Sequence, residues 1–143
     1  MSLTIIAIGQ NELNISKEVL GDIVRSNLMA INAKRLIVDY SEGWNSLVLD
    51  EARKIGLPYM GAIPFENPEL KNSRIYNAAI SNIVFNQSKK EFLANPFPYL
   101  KWVDAYVGEV FAYVDMEKHS FNRTILSFLK EKTIRNLYKS YRG

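Results

Sequence analysis

Cysteine is absent from the 143 residues, and histidine occurs once, at His119. The first absence excludes disulfides, thiolate metal sites and a cysteine nucleophile. The second excludes metal sites built from several imidazoles, so only carboxylate ligation is left. Long apolar runs are missing too. None approaches the ~20 residues a membrane helix needs, and residues 3–8 are too short an apolar stretch for a secretion signal and lack a basic lead-in. Nor does the chain carry a three-glycine dinucleotide fingerprint or a phosphate loop closing on Lys and Ser/Thr. What is present, 48% hydrophobic and 23% charged residues, is the balance of a folded domain rather than of a disordered segment. The length suits one domain over residues 1–143, expected to be soluble and cytoplasmic with no membrane contact.

Charge is unevenly spread. Residues 1–117 hold 11 basic and 14 acidic side chains, whereas residues 118–143 hold seven basic ones (Lys118, Arg123, Lys130, Lys132, Arg135, Lys139, Arg142) and only Glu131 on the acidic side. A basic end can meet phosphates or acidic lipid, but a solvated last helix produces the same pattern. Only Tyr138 and Tyr141 accompany the late cations, so nucleic acid is not the expected partner.

Apolar periodicity predicts strands alternating with helices. Residues 3–8 form a continuous apolar run ending at Gly9, as in a parallel strand buried on both faces. Ser16 then caps a helix marked by Val19, Leu20, Ile23, Val24, Leu28 and Ile31. Residues 35–39 are a second strand, 40–43 a turn, and Leu47, Val48, Ala52 and Ile55 stripe a helix that stops at Gly56. A third strand spans residues 59–63. Tyr76, Ala79, Ile80 and Ile83 predict a helix running directly into a strand at 83–85. Residues 95–98 read as a loop, 99–107 as a helix, 110–114 as a strand, and Phe121, Ile125, Phe128 and Leu129 as a last helix before a short strand at 134–138. The expected fold class is α/β, with three layers and a doubly wound, mainly parallel sheet of at least five strands, residues 3–8 and 35–39 at its centre.

Ligands of such sheets bind at the carboxyl ends of the strands. Those ends are Gly9, Gln10 and Asn11; Asp39 to Gly43; Pro64, Phe65 and Glu66; residues 86–88; and Asp115 to Glu117. Gly43, with Glu42, Trp44 and Asn45, opens the second helix, where a glycine lets backbone approach a phosphate and free N–H groups favour an anion; a simple turn is the competing role. Asp39 could accept from ribose hydroxyls. The pairs Asp39 with Glu42 and Asp115 with Glu117 suit acid–base work, a divalent cation, or merely the dipole of a helix start. His119 lies at the start of the last helix near the same rim. Seven of the 17 aromatics fall between Phe92 and Tyr113, where a base-stacking wall, a subunit contact and ordinary packing all compete.

These residues carry a resemblance. The stretch Asp39-Tyr-Ser-Glu-Gly-Trp-Asn45, the helix ending Ala52-Arg-Lys-Ile-Gly-Leu-Pro58, and Tyr59-Met-Gly-Ala-Ile-Pro-Phe-Glu66 resemble the YpsA family of the SLOG superfamily. That superfamily is Rossmann-like and includes the DNA-processing protein A domain and the cytokinin-releasing LOG enzymes. Ile8-Gly9-Gln10-Asn11 stands where the family has Thr-Gly-His/Tyr-Arg, and Ala62-Ile63-Pro64-Phe65 matches intact. Asp39 replaces the first Gly of the family's Ser-Gly-x-x-x-Gly-x-Asp pattern and Asn45 its Asp, while His119-Ser120-Phe121 replaces a Gly-Gly-Thr. The resemblance implies a single Rossmann-like domain, homo-oligomers, and a nucleotide or nucleotide-derivative ligand on Gly9, Gln10, Asn11, Asp39, Glu42, Gly43, Trp44, Asn45, Pro64, Phe65, Glu66, Asp115, His119 and Ser120. Binding is expected to be narrowed by His119 and Phe121, and Gly43→Val to abolish it without unfolding the chain. The alternative is a degenerate Rossmann-like interaction or assembly module without a ligand. An N-glycosidic-bond hydrolase or deoxyribosyltransferase comes third, because the LOG-type Pro-Gly-Gly-x-Gly-Thr-x-x-Glu motif is absent. No metal, cofactor or catalytic residue is implied.

Overall fold

The computed structural model describes residues 3–138. Along the chain run β1 (Thr4–Gly9), α1 (Lys17–Ala30), β2 (Arg35–Val38), α2 (Trp44–Lys54), β3 (Tyr59–Ile63), a 3-10 turn (Pro68–Asn72), α3 (Arg74–Ala78), β4 (Asn82–Val84), α4 (Lys89–Ala94), α5 (Phe97–Tyr106), β5 (Glu109–Tyr113), α6 (Ser120–Phe128) and β6 (Thr133–Asn136). The six strands form one sheet in the order β4-β3-β2-β1-β5-β6, parallel throughout. The expected three-layer, doubly wound Rossmann-like α/β fold is therefore present, with one strand beyond the minimum expected.

Alternation along each strand feeds two separate cores. Ile5, Ala7, Leu36, Val38, Phe111 and Tyr113 face α1 and α2, meeting Leu20, Val24, Leu28, Val48 and Ala52. Ile6, Ile8, Ile37, Met60, Ala62, Val110 and Ala112 face the other layer, meeting Leu100 and Val103 of α5 and Ile125 and Leu126 of α6. Both faces are covered, which is why these strands read as unbroken apolar runs. The Ser16 hydroxyl accepts from the Val19 N–H at 3.3 Å and starts α1 as expected.

Four boundaries differ from the expectation. The helix predicted to run as far as Ile83 ends at Ala78: Ile80 N–H donates to the Tyr59 carbonyl at 2.9 Å, which draws the chain into the sheet ladder before another helical turn can form. α4 was not expected; a reciprocal cap starts it, Glu91 N–H on Ser88 Oγ at 3.1 Å and Ser88 N–H on Glu91 Oε1 at 2.9 Å. α5 begins at Phe97, inside the expected loop, because a proline is accepted in a first helical turn, where no intrahelical N–H is required. The last strand sits slightly earlier, at Thr133–Asn136. Lys139, Tyr141 and Arg142 of the basic segment lie outside the described residues. Of the aromatic stretch, Phe92 and Tyr99 are core, while Phe97 and Tyr106 stay 45% and 41% exposed.

Trp44 joins the central elements. It has no exposed surface, its ring lies over Tyr113 and Phe111 with centroids 5.1 and 6.0 Å away, and its Nε1–H donates to the Phe111 carbonyl at 2.9 Å. Only a glycine beneath it permits this, since a Cβ on Gly9 would stand 2.5 Å from Trp44 Cδ1. Two outcomes follow. Ile37→Asp, at a position with no exposure between the layers, should leave the chain unfolded, because an unpaired buried charge costs several kcal/mol against a total stability of about 5–15 kcal/mol; a wild-type melting curve would refute the strand assignment. Gly9→Ala should lower unfolding stability by about 1–3 kcal/mol in a urea titration by overpacking Trp44, and an unchanged midpoint would show that the contact is soft.

Candidate functional site

The chain winds outward from β1 through β2 and β3 to β4, then returns across the sheet to β5 on the other side of β1. That reversal leaves a crevice beyond the strand ends. A cleft of about 440 Å³ lies there, lined by the ends of β1, β2 and β3, by α4 and α5, and by the start of α6.

Its floor is a set of polar side chains that clip strand ends together. Gln10, almost fully buried, accepts from Asp115 N–H at 2.8 Å through Oε1 and donates from Nε2 to the Glu12 carbonyl at 2.9 Å, tying the end of β1 to that of β5. Asn45 accepts from Asp39 N–H at 3.0 Å and donates to the Ala7 carbonyl at 3.2 Å, holding β1, β2 and α2 in register. Asp39 follows β2 directly, and its Oδ1 accepts from both the N–H and the hydroxyl of Ser41, at 2.9 and 2.6 Å. Burial raises the Asp39 carboxyl above the usual carboxylate range, against the opposing pull of those two bonds.

Aromatic rings make one wall. Phe92 packs against Phe65, Tyr99 and Phe121 with centroids 5.9, 5.5 and 5.5 Å away, and the Tyr99 hydroxyl donates to the Ala62 carbonyl at 2.9 Å. At the rim stand exposed Lys89, Asn122, and Glu12 facing His119 with 3.8 Å between Oε2 and Nε2.

Of the residues expected at the site, Gly9, Gln10, Asn11, Asp39, Asn45, Pro64, Phe65 and His119 line this cleft, and Phe121 does so beside them. Glu42, Gly43, Trp44, Glu66, Asp115 and Ser120 do not. Trp44 is core, and Asp115 is buried behind the end of β5, accepting from Glu117 N–H at 3.1 Å and from the Tyr138 hydroxyl at 3.0 Å. Gly43, at φ +78°, faces the Asn11 backbone, whose carbonyl oxygen would lie 2.3 Å from an added Cβ. The start of α2 is shut on that side: Trp44 N–H already donates to the Gln10 carbonyl at 3.2 Å. The expected backbone approach at Gly43 is thus occupied by the chain itself, while at Gly9 Trp44 fills the Cβ side and the backbone still lines the cleft; Gly43→Val would strike Asn11 rather than leave the fold intact. The open face is the opposite one, toward α4, α5 and α6. Sequence reasoning passed over Glu12, Lys89 and Asn122 as site residues; Phe92 and Tyr99 carried a signal, as members of the aromatic stretch. Among the described residues, no three carboxylates or imidazoles gather as a metal site, and no helix is long and apolar enough to cross a membrane.

No family model matches the sequence, and a search of curated proteins returns no match. Solved structures do resemble the fold. The Moco carrier protein from Chlamydomonas reinhardtii superposes with a TM-score of 0.61 at 14% identity, over 94% of this chain and 75% of the other. The structural-genomics target TM1055 gives 0.60 at 15% identity, over 92% and 72%. DNA processing protein A from Helicobacter pylori, described as binding single-stranded DNA, gives 0.58 at 16% identity, over 92% of this chain and 63% of its own length. At such identities the likeness is one of architecture, and the chain shares with these three proteins a Rossmann-like fold.

Proposed function

We propose that the chain binds a nucleoside or small nucleotide derivative in the cleft at the ends of β1, β2 and β3. One observation carries this reading: an aromatic wall of Phe65, Phe92 and Phe121 shares the cleft with a half-buried acceptor, Asp39, and cationic Lys89. The wall offers stacking and edge contacts to a base, Asp39 accepts from sugar hydroxyls, and Lys89 meets a phosphate as a point charge. The resemblance to the YpsA family supports the same class of ligand, and two of the structural neighbours are named for carrying a cofactor and for binding DNA. With the space over Gly9 filled by Trp44, the cleft extends to one side of the switch point only, which favours one base and its sugar over a dinucleotide. An assembly module with no ligand is the competing reading.

A thermal-shift series with adenosine, guanosine, their monophosphates, cyclic monophosphates and a dinucleotide separates the two. A mononucleoside compound should raise Tm while the dinucleotide does not; a ligand at about 100 times its Kd contributes roughly 2.7 kcal/mol. No shift with any compound would favour the assembly module. Lys89→Ala should weaken the monophosphate about 3- to 10-fold and leave the nucleoside unchanged, as loss of one charge-assisted contact at an exposed rim implies.

Asp39 supplies a test that needs no ligand. Its folded-state pKa is raised, so the native chain holds this proton to higher pH than the unfolded chain does. That contribution is fully present below the unfolded carboxylate range and is lost as pH rises through the folded value. Asp39→Asn keeps an acceptor for Ser41 and removes the buried charge. It should melt higher than wild type at pH 7, and calorimetry should show the gap closing as pH falls through the carboxylate range.

A further inference from the structure

The two edges of the sheet are built differently. β6 is guarded in the manner of natural edge strands: Arg135 lies within it, and Lys130, Glu131 and Lys132 immediately precede it. β4 is short but carries no charge within it; Lys71 and Glu66 line the hollow beside Val84, and Lys89 and Lys90 follow beyond a bend. Its ladder with β3 extends past the strand itself, from Ile80 N–H on the Tyr59 carbonyl to Glu66 N–H on the Gln87 carbonyl, and includes Ser81 and Phe85. Counting Ser81 and Phe85, five residues of extended pairing between bends at 79–80 and 86–87 make an edge of about 17 Å. Because Ser81 and Phe85 bond inward to β3, the alternate residues Asn82 and Val84 turn their backbone N–H and carbonyl groups outward. Ile80, Ile83 and Val84 are 61%, 36% and 43% exposed along this edge. Residues 75–88 hold no Asp, Glu, Lys or Arg, the longest such run in the chain.

We propose that the β4 edge pairs with the β4 edge of a second copy of this chain, antiparallel about a two-fold axis, joining two six-stranded sheets into one. A two-fold axis sets each residue of an edge opposite its own copy or a near neighbour of it, so any charge there would confront a like charge. A run without charge meets that condition, whereas β6, with Arg135 and its flanking cations, fails it. Outward N–H groups of one copy find the carbonyls of the other, and the exposed Ile83 and Val84, which point to opposite faces of the sheet, are covered on both sides of the junction.

Light scattering from low to high micromolar concentration tests this. Wild type should pass from one chain mass, 16.4 kDa, to twice that value as concentration rises. Val84→Lys, a substitution at an exposed side chain, should hold the monomer mass throughout, and Thr133→Lys on the other edge should behave as wild type. Amide hydrogen exchange on the unmodified chain is an independent readout: the N–H groups of Asn82 and Val84 should gain protection as concentration rises. A wild-type monomer at every concentration, a Val84→Lys dimer, or Asn82 and Val84 amides that stay unprotected at high concentration would each overturn the proposal.

Discussion

The contact between Trp44 and Gly9 is the constraint on which the site geometry rests. An indole has no room above a strand that carries Cβ atoms, so the position under it must be glycine. Once seated, the ring is held from three directions: stacking on β5, a hydrogen bond to the Phe111 carbonyl, and the start of α2, of which Trp44 is the first residue. This fixes α2 against the ends of β1 and β5 and fills one side of the crevice that the topology creates. The cleft on the other side is what remains, and its lining comes from the layer that holds α4, α5 and α6.

Around that anchor the strand ends are joined by side-chain amides rather than by a glycine-rich backbone loop. Gln10 and Asn45 each use both ends of the amide, one linking β1 to β5 and the other linking β1 to β2 and α2. A loop that cradles a phosphate would need its N–H groups unengaged. Here Asp39 N–H, Trp44 N–H and Asp115 N–H are all bonded within the chain. Recognition by this rim therefore falls to side chains at its edge, notably Lys89, and to the aromatic wall.

Much of the fold was legible because a parallel sheet covered on both faces writes itself as short apolar runs between amphipathic helices. β1, β2, β3, β5, α1 and α2 all follow that rule. α4 escaped because it is six residues long and buries only Phe92, so it has no period to detect. α3 and β4 were merged because Ile80 and Ile83 fall at helical spacing after Tyr76, although both are exposed and belong to the sheet edge. The site was half legible for a related reason. A strand's end can be located from sequence, but the direction of a glycine's open side cannot: Gly9 and Gly43 read alike as room for a ligand, and that room is taken by Trp44 and by Asn11. Lys89 offers no signal at all, since two adjacent lysines opening a short helix look like any other solvated pair.

The position of β1 bears on how the chain acquires its shape. It pairs with β2 on one side and with β5 on the other, with Ile5 opposite Glu109 and Ala7 opposite Phe111. About a hundred residues separate those partners in sequence, and contacts so distant close slowly. During synthesis β1, β2 and β3 can assemble early, yet the hydrogen-bonding edge of β1 that later pairs with β5 has no neighbour until the segment around residue 110 leaves the ribosome. The strand most central to the finished sheet is thus the one that waits longest with a bare side, and for that interval it is the part of the nascent chain most in need of shelter from other chains.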